Sequence, residues 1–231
     1  MLPIIFRIGP VTIYSWGFMV ALAALAGLFI TIKYGEKEGL KPEIIIDIFV
    51  YVTIASIIGA RSFYIIAFYP QYLSDPISIL YLNEGGLVFL GGLFGGLLSI
   101  FFYVHARKIN IWKILDAFSP GTMLGYGIGR IGCFLNGCCN GIKLFGIVQP
   151  TQVYSSIAGF AIFAVLAFIY NKKKYDGQIF LSALLFYSTY RFFIEFIRYS
   201  PIHISVFTPS QIIALAVLII SSYILWKKSS I

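Results

Sequence analysis

The sequence predicts an all-α integral membrane protein with seven transmembrane helices, its N-terminus outside and its C-terminus in the cytoplasm. Three observations predict it: an apolar composition, seven apolar segments joined by short connections, and an alternation of charge between those connections. Of 231 residues, 59% are hydrophobic and 11% charged, with a mean hydropathy of +0.90; a soluble domain of this size carries about 25% charged residues. A water-soluble enzyme is excluded. The length suits one polytopic membrane domain over 1–231, because seven spans of about 20 residues fit within it.

The apolar segments run over 11–32, 44–69, 87–106, 114–136, 152–170, 178–198 and 204–226. The first, fifth and seventh contain no ionisable acid or base and are expected to cross the bilayer. The others are interrupted by Asp47, Arg61, His105, Asp116, Arg130, Arg191, Glu195 and Arg198. An ionisable group at membrane depth costs several kcal/mol unless it is paired or faces a wet cavity, so function is expected in these interrupted spans. Glycines at four-residue spacing (Gly91 and Gly95; Gly92 and Gly96; Gly121, Gly125 and Gly129) put small residues on helix faces where neighbouring helices approach closely.

Charge placement sets the orientation. Lys33, Lys37 and Lys41, then Arg107, Lys108 and Lys113, then Lys172, Lys173 and Lys174, then Lys227 and Lys228 follow alternate spans and account for eleven of the seventeen basic residues. The opposite connections hold Arg7 and Lys143. Positive-inside bias places the lysine-rich ends in the cytoplasm, and an N-out, C-in chain requires an odd number of spans. The net charge of +8 is therefore a membrane signal, and no nucleic-acid partner is expected. The first apolar stretch lacks a preceding cluster of positive charge and reads as a retained span, not a cleavable signal.

Several residues carry candidate chemistry. Arg130, in GYGIGRIGCFLNGCCNG, has glycines on both sides and is placed either to snorkel or to receive an anion. Arg191, Glu195 and Arg198 are spaced by four and three, on one helix face, and fit both an internal ion cluster and an anion site with one positive charge in excess. With Arg61 they make four intramembrane arginines against one clear glutamate, an imbalance that a lipid phosphate would close. Cys133, Cys138 and Cys139 read as small packing residues, as a disulfide on the oxidising side, or as a nucleophilic thiol. Three cysteines make no disulfide framework, and the separated His105 and His203 give no ligand spacing, so neither a metal nor a cofactor is expected. QPTQVYSS opens the fifth span, with Pro150 near the helix start and Thr151 or Gln152 placed to cap it. Tyr14, Trp16, Tyr154 and Tyr187 read as interfacial aromatics.

In order, IGPVTIYSWGFMVAL, GARSFY, EGGLVFLGGLFGG, GRIGCFLNGCCNG, PTQVY and YRFFIEFIR resemble the prolipoprotein diacylglyceryl transferase family along most of the chain. The resemblance matches the family's signature arginine to Arg130, its signature asparagine to Asn136 and its late-helix arginine to Arg191, followed by Glu195. It implies the seven-span, N-out topology reached above from charge. It departs from the family pattern at Leu90 and Gln149, where the family commonly has histidine, at Cys133 for asparagine, at Cys138 for glutamate and at Trp16 for tyrosine. The outer insertion before the P-[ST]-Q segment is cut to about ten residues.

The resemblance further implies a transferase in the bacterial inner membrane. It would move a diacylglyceryl group from phosphatidylglycerol to the lipobox cysteine of a prolipoprotein, at its signal peptide, releasing glycerol phosphate. Arg130 and Arg191 are expected to clamp the phosphate because preorganised guanidinium donors in a water-poor site stabilise developing charge. Glu195 would fix Arg191 or Arg198, and Asn136 with Gln152 would position substrate, together with Arg61 and Tyr154. With no histidine in the motifs, Tyr14, Tyr187 and Glu84 are the candidates to assist proton removal, and the residues do not choose among them. A non-catalytic lipid-binding or transport protein with the same fold is the alternative, favoured by Leu90.

Overall fold

A computed structural model of the chain describes residues 2–8, 11–72, 86–144, 146–200 and 207–229. It contains seven α-helices among the described residues: α1 (Ser15–Lys37), α2 (Pro42–Ala67), α3 (Phe89–Arg107), α4 (Ile111–Asn136), α5 (Thr151–Tyr170), α6 (Gln178–Ile194) and α7 (Pro209–Ser229). Five of them, all but α4 and α6, are long and apolar enough to cross a membrane. α4 carries Lys113, Asp116 and Arg130 among many glycines, and α6 is 17 residues long. The seven apolar segments thus correspond to seven helices.

Two small antiparallel ribbons depart from the all-α expectation. β1 (Ile4–Ile8) pairs with β2 (Val11–Tyr14), so the first apolar segment begins as a strand and turns helical only at Ser15. Its β-branched residues favour the extended form. Ser15, fully buried, donates its hydroxyl to the Leu2 carbonyl and fixes that junction. β3 (Lys143–Leu144) and β4 (Ile147–Val148) form the second ribbon, closed by Gly146 at φ 81.

The chain divides into two compact units, Gly39–Ile111 and Met1–Glu38 with Trp112–Ile231. In the first, α2 and α3 form an antiparallel pair. Gly59 lies against the backbone of Gly91 and Gly95, Gly95 against Ala55, and Gly96 against the Ser56 hydroxyl, so a methyl group at Gly59 or Gly91 would collide with the facing main chain. This is the close packing anticipated from the four-residue glycine spacing. Further along the pair, the Tyr103 hydroxyl donates to Asp47 at 2.9 Å.

In the second unit the helix ends gather in two sets. At one set, the buried carboxylate of Asp116 on α4 accepts the backbone N–H groups of Gly177 (2.7 Å) and Phe180 (2.8 Å), capping α6 from another helix. Lys173 bridges Asp116 (3.0 Å), Glu38 (2.6 Å) and Asp176 (3.2 Å), and the Tyr170 hydroxyl donates to Glu38 at 2.8 Å. The ends of α1, α4, α5 and α6 are thus tied by one ion network. Lys228 near the end of α7 joins it through the Asp176 carbonyl at 3.3 Å. At the other set, Leu2 bonds to Leu135 at the end of α4, and Ile142 bonds to Ile197 beyond α6. Between them lies a core built from Tyr34, Ala117, Met123, Ile162, Leu166, Tyr170 and Ile179. Outside it, Phe29, Phe168, Ile213 and Trp226 are exposed. Buried charge with apolar residues outside is the polarity of a lipid-embedded protein.

The glycines of α4 serve this unit unequally. Gly121 packs on Gly27 and Thr31 of α1 and Gly125 on Ala23, while Gly129 of the same series faces open space. Gly127 meets Gly159 and Phe160 of α5 and accepts a hydrogen bond from Ser156 at 2.8 Å.

Removing the Asp116 carboxylate leaves the Lys173 ammonium partly uncompensated and uncaps α6. Asp116→Ala is expected to lose about 3–5 kcal/mol, whereas Asp176→Ala, at the wetter edge, loses less than about 1 kcal/mol. The Lys173 ammonium titrates above the ordinary lysine value: burial pulls it down, and hydrogen bonds to Glu38 and Asp116 outweigh the burial. Its raised folded pKa means that its stabilisation is complete below about pH 10.4 and fades as pH rises through the folded value. Unfolding midpoints of both variants in detergent, followed from neutral to alkaline pH, check both statements.

Candidate active site

Three helix ends build the site. α4 closes in a Schellman turn: the Gly137 N–H bonds to the Phe134 carbonyl (3.1 Å) and the Cys138 N–H to the Cys133 carbonyl (3.2 Å), with Gly137 at φ 78. Glycine is required there because an L side chain strains at that angle. Cys139 follows at φ 64, a left-handed conformation costing a non-glycine residue about 1–2 kcal/mol. Two side chains from the start of α5 hold it: the Thr151 hydroxyl donates to the Cys139 carbonyl (2.8 Å), and the Gln152 amide donates to the Cys138 carbonyl and to Asn140 Oδ1 (2.7 Å). The expected capping role of Thr151 and Gln152 is therefore corrected. Pro150 is the N-cap, without a side-chain cap, and both side chains turn to the neighbouring loop.

α6 stops at Ile194, which corrects the expected single helix face for Arg191, Glu195 and Arg198. Past the helix end, the Arg198 N–H still bonds to the Ile194 carbonyl (3.1 Å), and its backbone bridges to Gly141. Arg198 nevertheless lines the same pocket as Arg191. Arg191 pairs with Glu195 at 3.0 Å and donates to Ser210 at 3.1 Å. The Thr208 hydroxyl donates to the other Glu195 oxygen at 3.2 Å. Thr208 and Gln211 also form a reciprocal capping box at the start of α7, with the Thr208 N–H on Gln211 Oε1 (2.9 Å) and the Gln211 N–H on Thr208 Oγ1 (3.2 Å). The cap that starts α7 thus fixes the carboxylate that holds Arg191.

These ends enclose a narrow cleft lined by Arg130, Cys139, Thr151, Gln152, Ser155, Arg191, Ile194 and Arg198. The Arg130 guanidinium lies over the Tyr126 ring at 4.8 Å, and that ring meets Tyr187 edge to face at 5.3 Å. Ser155 shares a 2.6 Å hydrogen bond with Tyr190. Arg130 and Gln152 also line an adjoining apolar groove of about 120 Å3 with Phe134, Val153, Ile157 and Phe160. A guanidinium cluster beside an apolar groove suits an amphiphile bearing an anionic group. The Gln152 Oε1 atom is buried and has no hydrogen-bond partner among the described residues, leaving an acceptor on the wall shared by cleft and groove.

Of the residues singled out from sequence, Arg130, Gln152, Arg191 and Arg198 converge here with Glu195 behind them. Asn136 stands exposed at the end of α4, and Asn140 instead takes the bond to Gln152. Tyr187 is packed inside against Tyr126, not interfacial, whereas Tyr14 and Trp16 are exposed and Tyr154 bonds to Gln149 at 3.1 Å. Arg61 belongs to the other unit, where it is buried, donates to the Gly86 carbonyl at 3.3 Å and lies over the Tyr64 and Tyr72 rings. Leu90 is exposed on α3. Glu84 and His203 lie outside the described residues. Thr151, Ser155, Tyr126 and Asn140 joined the site only in three dimensions. Burial pushes the Cys139 thiol up, with Cys138 adding to the effect and Arg130 and Arg198 opposing it.

Fold and site together define a multi-pass membrane protein with an arginine-lined cleft beside an apolar groove. Residues 3–227 match the prolipoprotein diacylglyceryl transferase family. The chain belongs to that family and is a transferase, as the ordered motifs of the sequence implied. Phosphatidylglycerol–prolipoprotein diacylglyceryl transferases resemble it over nearly their whole length. That of Finegoldia magna is 30% identical over 224 residues, 93% of this chain and 90% of the relative. That of Clostridium tetani is 31% identical over 241 residues, 97% and 96% of the two chains. A second such transferase of Clostridium perfringens is 32% identical over 225 residues, 90% and 88%.

Proposed function

We propose that the protein transfers a diacylglyceryl group from phosphatidylglycerol to the lipobox cysteine thiol of a prolipoprotein, releasing glycerol phosphate, in the bacterial inner membrane. The observation that carries this reading is the convergence of Arg130, Arg191 and Arg198 on one cleft next to an apolar groove. Three guanidinium groups face one carboxylate, Glu195, so the cleft has two positive charges in excess. A phosphodiester supplies one negative charge, and the phosphate monoester that departs supplies a second. The site is therefore complementary to the leaving group more than to the bound lipid, the condition for lowering a barrier. The adjoining groove takes the start of an acyl chain, and Gln152 Oε1 accepts from a hydroxyl of the headgroup glycerol.

Arg130 and Arg191 act as the phosphate clamp. Glu195 positions Arg191, and Arg198 adds charge at the rim. Tyr126 carries the Arg130 guanidinium on its ring and limits its swing.

The reading includes one polytopic domain of seven spans. The ion network around Lys173 and Asp116 lies at the cytoplasmic ends and the arginine cleft at the outer ends, in line with the lysine-rich connections. In a background lacking the native cysteines, Lys174→Cys is expected to react with an impermeant thiol reagent only from the cytoplasmic side and Asp75→Cys only from outside. Labelling of both from one side would remove the seven-span topology.

Arg130→Lys keeps the charge and loses the planar set of donors. In vesicles of phosphatidylglycerol with a lipobox peptide, the wild-type protein is expected to add a diacylglyceryl mass to the peptide, and Arg130→Lys to lower kcat/KM tenfold or more, about 1.4 kcal/mol. An unchanged rate contradicts the clamp. Binding of phosphatidylglycerol without any transfer supports a lipid-binding protein in place of the enzyme.

A further inference from the structure

The described lining of the cleft holds no base. Among the described residues that line it there is neither histidine nor carboxylate, and Glu195 behind it is engaged by Arg191, Thr208 and the α7 cap. A thiol of ordinary pKa, about 8.5, is mostly protonated at neutral pH, so its use as a nucleophile needs another device.

The cysteines supply one. The sulfurs of Cys133, Cys138 and Cys139 all lie within 4.8 Å of one another, and those of Cys138 and Cys139 are 3.6 Å apart. The arrangement follows from the Schellman turn, which folds Cys138 back over Cys133, and from the left-handed Cys139, whose carbonyl Thr151 anchors. Thiolates bound to tetrahedral zinc at about 2.3 Å stand about 3.8 Å apart, so sulfur movements of about 1 Å or less close the cluster on an ion. The three cysteines are free and partly accessible, and Cys139 forms part of the cleft wall beside the arginines. Three protein ligands with a fourth position open is the pattern of a catalytic zinc site, as opposed to a closed structural one. Three thiolates on Zn2+ leave one net negative charge, and Arg130 and Arg198 both act electrostatically on Cys139 to offset it.

We propose that Cys133, Cys138 and Cys139 hold a Zn2+ ion whose fourth position takes the acceptor thiol of the peptide as a thiolate. The assignment rests on the thiol-acceptor reading above. Coordination releases the thiol proton to solvent, as it does for any thiol that ligates zinc. The sulfur then uses an electron pair to form a bond to the glyceryl carbon that bears the phosphate. The carbon–oxygen bond breaks, and its electron pair leaves on the oxygen of glycerol phosphate, whose second negative charge the arginines receive. The thioether product is a weak ligand and departs, leaving the zinc site ready for another thiol. No oxidant or reductant is needed.

The test uses the full-length protein, reduced and reconstituted in nanodiscs, with Co2+ as a spectroscopic stand-in for Zn2+. One equivalent of Co2+ is expected to give thiolate-to-cobalt absorption that Zn2+ abolishes. Addition of a lipobox peptide shifts the spectrum, and the same peptide with serine in place of cysteine does not. Cys133→Ser and Cys139→Ser each lose the signal, with thermal unfolding showing that they remain folded. Removing metal from the wild-type protein with a chelator lowers transfer about a hundredfold or more, and Zn2+ restores it. That arm does not depend on any variant folding. Absence of a cobalt signal with all three thiols reduced, a signal indifferent to the cysteine peptide, or full transfer in chelator each overturns the zinc assignment and leaves the transferase reading standing. A peptide-sensitive cobalt signal without transfer under any metal condition supports the thiol ligand and overturns the transferase reading.

Discussion

A charge removed from water inside an apolar chain must find a partner, and the rest of this structure depends on how unevenly partners are distributed. At one set of helix ends a single ammonium, Lys173, meets three carboxylates: Glu38, Asp116 and Asp176. At the other, among the described residues, three guanidinium groups line a cleft with one carboxylate, Glu195, behind it. Lys37 and Lys113 line the same pocket as Lys173, so three ammonium groups balance the three carboxylates, and this first arrangement holds helix ends together. The second remains electrostatically incomplete, and the proposed function fills it with the anionic headgroup of a lipid. On the proposed reading, stability and function are thereby separated to opposite helix ends.

The cleft owes its shape to helix termini. Each terminus leaves backbone donors or acceptors that must be satisfied, and here the satisfying groups come from neighbouring segments. Thr151 and Gln152 at the start of α5 bind carbonyls of the turn that ends α4. Thr208 and Ser210 at the start of α7 bind the Glu195 and Arg191 pair that follows from α6. A substitution at the start of α7 therefore moves charged groups that follow from α6, and substitutions within this shared network are expected to be non-additive.

Much of this was legible in the sequence. The apolar segments located the seven helices because length and hydropathy are local properties, and the glycine spacing marked close-packing faces of α3 and α4 without naming their partners α2 and α1. Arg130 and Arg191 stood out because charged groups in apolar runs are costly, and Gln152 through the polar turn that opens the fifth span. What remained hidden was non-local. Asp116 caps a helix 61 positions away, and nothing in its own segment marks that partner. Asn140 replaces Asn136 because the Schellman turn, signalled by the asparagine–glycine pair at 136–137, reverses the chain between them. Arg198 lies past the end of α6, where its backbone bridges to Gly141, a partner 57 positions earlier in the chain. The clustering of the three cysteines likewise depends on the turn geometry, which their spacing does not reveal without the glycine at φ 78.

The central claim is that the arginine cleft receives the phosphate of phosphatidylglycerol, and an experimental structure of the protein in nanodiscs made from that lipid tests it most directly. The account predicts a phosphate whose oxygens lie about 2.7–3.2 Å from the Arg130 guanidinium and from that of Arg191 or Arg198, with an acyl chain entering the groove between Phe134 and Phe160. A lipid phosphate resolved elsewhere, with Arg130 still stacked on Tyr126 and no anion in the cleft, would contradict it.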